Sequence, residues 1–143
     1  MKKLFSLLLL GICMLPLMSF TADSKVNLNK IADVLQEMES NNNPEAIGDG
    51  GLALGVLQIH EGVVLDVNRH YGTEYTHEDA KKPKIAKDLF VKYISLGIKL
   101  YKKRCGNSPS DYDVVRMWNG GIYRGYEYES TLVYLEKYKK LIG

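Results

Sequence analysis

The chain has 143 residues, 45% hydrophobic and 25% charged, which excludes a disordered or collagen-like polymer and makes one domain the expectation. Its 19 Lys and Arg face 17 Asp and Glu. That near balance gives no reason to expect nucleic acid or an anionic membrane surface as partner. Ten tyrosines stand out; they suit a surface that touches sugar rings or amides, and equally the rim of a core.

The first element is "MKKLFSLLLLGICMLPLMSFTADS". Lys2 and Lys3 precede an apolar stretch from Leu4 to Phe20, followed by small and polar residues. That is the order of a secretory signal over residues 1–22, with cleavage after Ala22 and Ser19 as the second option. An uncleaved anchor is the alternative. A lipoprotein reading through Cys13 is disfavoured by the bulky Ile12. Cleavage would remove two lysines and no acid, taking the cations from 19 to 17 against 17 acids, a neutral domain over residues 23–143. Cys105 would be left without a cysteine partner, so no intramolecular disulfide is expected. Its basic flank and lack of a partner suit a packing or surface thiol.

"NLNKIADVLQEMES" reads as a helix capped by Asn29, with Ile31, Val34, Leu35 and Met38 at helical spacing. At about 100° per residue, Glu39 falls about 40° from Leu35, on the flank of the apolar stripe, and Glu37 falls opposite. The helix should stop in "SNNNP", where Asn tolerates the left-handed conformation and Pro44 forbids continuation. "IGDGGLALGVLQI" has four glycines from Gly48 to Gly55 and suits a turn or short hairpin entering buried backbone. "EGVVLDVNRHYG" predicts a short helix ending at Gly72. The longest helix is predicted from Pro83 to Arg104, with Ile85, Leu89, Tyr93 and Ile94 as its stripe and Gly106 at its exit. "SPSDYDVVRMWNGG" predicts another, capped by Ser108, with Pro109 inside its start and Gly120 and Gly121 past its end. A last helix is predicted from Ser130 to Ile142. The expected fold is mainly α: one helical domain with a small glycine-rich hairpin or sheet.

Glu39 is the sharpest candidate for chemistry. A carboxyl at the edge of an apolar stripe can be partly desolvated, which raises its pKa as a general acid requires. Position alone equally allows an exposed Glu at a helix end. Asp49 is either a second carboxylate for glycosidic chemistry or a turn residue in "GDGG". Gln58 is either a satisfied core amide or a ligand contact. Asn119 is a helix C-cap, or a contact beside two glycines that admit a ligand to the backbone. Metal patterns fail: "HEGVV" has Val64 where a zinc helix places its second His, His70 and His77 lack ligand spacing, and no loop fits the calcium pattern.

In chain order these segments resemble the lysozyme-like superfamily, in particular soluble lytic transglycosylases and goose-type lysozymes. The resemblance rests on "ESNNNP" at Glu39 to Pro44, "GVLQI" at Gly55 to Ile59, "WNGG" at Trp118 to Gly121, and "TLVY" at Thr131 to Tyr134. "RMWNGG" is also similar to the "ARIHNGG" of invertebrate-type lysozymes. Four motifs in order across nearly the whole domain are more specific than any one. The resemblance implies a lysozyme-like fold with the sheet beside the active-site cleft. It implies a peptidoglycan glycosidase acting on the N-acetylmuramic acid to N-acetylglucosamine β-1,4 bond. Glu39 would be general acid/base, with Ser40, Gln58, Trp118, Asn119 and Tyr134 at the substrate, and Asp49 on the position of a water-directing Asp. A transglycosylase would form 1,6-anhydro ends. The alternatives are a hydrolase using Glu39 and Asp49, and a peptidoglycan-binding relative without turnover. The resemblance further implies that no cofactor is needed and that glycan strands are the partner; the signal segment implies a secreted or periplasmic location, and a monomer is expected. His60 departs from the pattern, standing where transglycosylases often have Pro.

Overall fold

A computed structural model describes residues 25–143; the expected signal at residues 1–22 lies outside the described residues. The described residues form five α-helices and a short antiparallel sheet, in the order α1 (Leu28–Ser40), β1 (Ile47–Gly48), β2 (Ala53–Leu54), β3 (Ile59–His60), α2 (Glu61–Tyr71), α3 (Pro83–Cys105), α4 (Asp111–Gly120) and α5 (Leu132–Ile142). The mainly α expectation with a small sheet is borne out. None of the described helices is long and apolar enough to cross a membrane.

The apolar stripe of α1 is buried at Ile31, Ala32 and Leu35. Its cap is Asn27 rather than Asn29: the Asn27 side chain accepts from the Lys30 amide at 3.1 Å, so the helix opens earlier than its sequence suggested. Its exit is as expected. Asn41 takes φ 53°, and the amides of Asn41 and Asn42 return to the carbonyls of Glu37 and Gln36, closing the last turn.

α3 is the central post. It buries Ala86, Leu89, Phe90 and Ile94 and packs against α1, α2 and α4, while α5 lies against α1 and α4. Pro83 stands in its first turn, and Gly106, φ 76°, ends it. α4 corrects a second cap. Ser110, not Ser108, receives the Asp113 amide at 3.2 Å, and Asp113 reaches back to the Ser110 amide at 2.9 Å. This reciprocal box satisfies two otherwise orphaned donors and leaves Pro109 outside the helix. α5 starts at Leu132, because Ser130 and Thr131 belong to a 3-10 turn, Glu129–Thr131.

In the sheet β1 pairs with β2 and β2 with β3, Gly48 facing Ala53 and Ala53 facing His60. The β2–β3 turn drives Val56 and Leu57 into the core, at 2% and 0% exposure. This anchorage explains why "GVL" is apolar in a turn. It also fixes the sheet beside the C-terminal end of α1: the Ser40 hydroxyl lies 2.9 Å from the Val56 carbonyl.

Candidate active site

A cleft of about 560 Å³ opens between the sheet and the helices, lined by Met38, Glu39, Asp49, Gln58, His60, Val63, Tyr93, Trp118, Asn119, Tyr134 and Lys137. Six of the seven residues expected from sequence line it.

Glu39 is in the last turn of α1 and is half-buried. Tyr134, in the first turn of α5, donates its hydroxyl to Glu39 Oε1 at 2.5 Å. Trp118, in the last turn of α4, lines the same cleft, and its indole favours the charged carboxyl. The Trp118 ring is held edge-on by Phe90 at 5.0 Å and Tyr93 at 6.3 Å between centroids. Burial is the largest influence on Glu39 and raises its pKa above the ordinary carboxylate value. The Tyr134 hydroxyl and the Trp118 indole oppose that rise, as does the Lys137 charge, while the Asp49 charge adds to it. Glu39 also sits near the negative end of the α1 dipole, which disfavours ionisation further. Tyr134 is pushed far above the usual tyrosine range, first by burial and then by the Glu39 charge, so it remains a hydroxyl donor at every physiological pH.

The opposite wall comes from the sheet. Asp49 has φ 49° and Gln58 φ 48°, both left-handed, a conformation that costs a non-glycine residue energy and is held here by the hairpin around it. His60 Nε2 lies 2.8 Å from Asp49 Oδ2, with both side chains open to solvent. Gln58 uses its amide group on the backbone, donating to Gly55 O at 2.9 Å and Ala46 O at 3.3 Å. Its Oε1 lies over Gly48, where an added Cβ would come within 2.1 Å. Gln58 thus braces the hairpin at the wall of the cleft.

Asn119 is exposed in the cleft, and its amide makes no hydrogen bond to another described side chain or backbone group. It is available to a ligand. The glycine beside it has a different task from the one its sequence suggested. A Cβ on Gly120 would lie 2.7 Å from Gly125 Cα and 2.7 Å from Thr131 Cγ2. Gly120 therefore lets two backbone segments touch, and does not open a path for ligand. Thr131, 1% exposed, locks the same junction: its hydroxyl reaches Gly125 O at 3.1 Å and Tyr128 O at 2.7 Å and accepts from Arg116 Nε at 2.8 Å. "WNGG" and "TLVY" are thereby tied together, which seats Trp118 and Tyr134 on the same carboxyl.

Ser40 is the expected contact that the structure places elsewhere. It does not line the cleft; its hydroxyl is occupied by the carbonyls of Gln36 and Val56 and the amide of Asn43. It joins α1 to the sheet. His60, Tyr93 and Lys137 line the cleft without having been picked out as site residues. For Lys137 a signal existed, since it lies three residues after Tyr134 and so on the same helical face. Cys105 is exposed, with its sulfur 3.9 Å from the Tyr126 hydroxyl, away from the cleft. Among the described residues no cluster of three His, Cys, Asp or Glu side chains could hold a metal. Comparison with family models, curated proteins and solved structures gave no match.

Proposed function

We propose that the protein is a peptidoglycan glycosidase that cleaves the N-acetylmuramic acid to N-acetylglucosamine β-1,4 bond, acting as a lytic transglycosylase. The observation that carries the proposal is the Glu39 carboxyl: half-buried in a cleft beside Trp118, raised in pKa by burial, and held by the Tyr134 hydroxyl. The motif order supplies the substrate class, and its leader-like N-terminus supports a secreted or periplasmic location.

The chemistry needs one carboxyl. Tyr134 occupies Oε1, so the acid proton belongs on Oε2. Glu39 gives that proton to the glycosidic oxygen as the bond to the muramic C1 breaks and positive charge develops on the ring. The resulting Glu39 carboxylate then takes the proton of the sugar's own 6-hydroxyl while O6 attacks C1. The ring closes to the 1,6-anhydro product and Glu39 regains its proton. Tyr134 and Trp118 stabilise the carboxylate between the two steps.

The test is incubation of the protein with peptidoglycan and mass analysis of the fragments. Anhydro ends, one water lighter than reducing ends, are expected, and Glu39→Gln should abolish their release. Full activity in that variant would end the proposal. Binding to sacculi without released fragments would favour a non-catalytic role instead.

One observation favours a second reading, hydrolysis. Asp49 shares the cleft with Glu39, close enough to raise its pKa, and His60 fixes its orientation. A carboxylate so placed can direct a water molecule at C1. Reducing ends, lost in Asp49→Asn with the fold intact, would decide for it.

A further inference from the structure

Lys137 is the one Lys or Arg in the cleft lining among the described residues. It lies on α5, one turn beyond Tyr134, and is exposed. The charged groups it shares the cleft with are Glu39 on α1 and Asp49 and His60 on the sheet. Asp49 is engaged by His60 at 2.8 Å. Glu39 feels Lys137 only as its weakest resolved influence. On its own helix, positions 133, 134, 140 and 141 are Val, Tyr, Lys and Leu, so no acid stands at ion-pair spacing. The next lysine differs: Lys139 is bonded to Glu136 at 2.8 Å. Lys137 makes no hydrogen bond or ion pair with another described residue. An unpaired ammonium beside a catalytic carboxyl, on the wall that holds that carboxyl, suits an anion carried by the substrate.

We propose that Lys137 is a specificity-determining residue that pairs with a carboxylate on the glycan strand beside the bond to be cleaved. The proposal rests on the glycosidase reading and narrows its substrate to glycans bearing carboxylates, whether on the lactyl ether or on a peptide stem. It has a consequence for the acid. Lys137 pulls the Glu39 pKa down; a substrate carboxylate seated on the ammonium cancels that pull and favours the protonated acid when substrate is bound.

The experiment compares the full chain with its Lys137→Met and Lys137→Arg forms on four probes: peptide-free strands with lactyl carboxylates, stem-bearing strands, and each of these with its carboxylates amidated. An exposed ion pair is worth about two- to five-fold in affinity. Lys137→Met should therefore raise KM about two- to five-fold on the carboxylate strands and lose the preference over the amidated ones, with Lys137→Arg restoring it. Whichever carboxylate strand shows the effect identifies the carboxylate. The alkaline limb of the pH profile should move to higher pH in Lys137→Met, which loss of a merely structural contact would not produce. An unchanged KM or an undiminished preference overturns the proposal. Co-sedimentation with the same four probes separates it from the glycosidase reading. If no strand is cleaved but wild type alone prefers carboxylate strands, the turnover reading fails and the Lys137 assignment stands. If no preference in binding is seen, the assignment fails too.

Discussion

Tyr134→Phe tests the centre of the site with the least disturbance. It keeps the ring that packs on the core and deletes only the hydroxyl that donates to Glu39 Oε1 at 2.5 Å. A neutral hydrogen bond contributes about 1 kcal/mol net, and one to an ionised group about 1.5–3 kcal/mol. In the proposed reaction Glu39 is neutral as the acid and charged once it has given up its proton. The hydroxyl therefore stabilises the charged state by roughly 1 kcal/mol more than the neutral one, a factor of about five in rate. The variant should show kcat reduced about five-fold or more, with KM little changed. Stability carries the same signature. The loss on substitution should be about 1 kcal/mol in acid, where Glu39 holds its proton, and about 1.5–3 kcal/mol above its pKa. Urea denaturation at an acidic and an alkaline pH, beside steady-state kinetics, gives both numbers. Equal stability losses at the two pH values, or a rise in KM with kcat intact, would show that the Tyr134 hydroxyl does not serve the carboxylate.

Glu39→Gln should separate function from stability. Burial raises the folded-state pKa of Glu39 above its unfolded value, so between the two values the folded chain binds more protons and stability falls as pH rises. The variant lacks that titration; a denaturation series from acid to alkaline pH should find it the more stable form above the folded pKa, and a wild type that keeps pace throughout would contradict the desolvation. Gly120→Ala should destabilise by about 1–3 kcal/mol through overpacking, against a gain of about 0.5–1 kcal/mol for alanine in a helix; a raised melting temperature would refute the close contact with Gly125 and Thr131. Thr131→Val keeps the shape but leaves Arg116 Nε and a buried junction without the hydroxyl, a loss of about 1–3 kcal/mol. Unchanged thermal unfolding would show that the latch carries no energy.

The helices were legible where a residue with a fixed backbone preference marked an end. Pro83 and Gly106 bracket α3, and Gly72 ends α2. Caps were harder, because Asn27 and Asn29, or Ser108 and Ser110, offer the same chemistry two residues apart. Only the partner decides: Lys30 for Asn27 and Asp113 for Ser110. Strands of two residues are too short for any alternation to register, so the sheet could be anticipated only as a small glycine-rich hairpin or sheet, without the bounds of its strands. Six residues that line the cleft could be anticipated because they lie in short motifs. Ser40 was misplaced for the same reason: it stands beside Glu39 in sequence, while its side chain turns to the Val56 carbonyl.

Glu39 is a weak candidate from position alone and a strong one in the fold because of what the distant chain brings to it. The hydroxyl that holds it comes from 95 residues away and the indole from α4. The surface that desolvates it exists only when α1, α4 and α5 are packed. The same packing requires Gly120 and Thr131 at the α4–α5 junction, residues that never touch the cleft. Across the cleft, Asp49 and Gln58 hold left-handed backbone that an unconstrained chain would relax. A raised carboxyl on one wall and strained backbone on the other are costs that core packing alone does not require. Their convergence on one opening is the physical reason to read it as a site of chemistry.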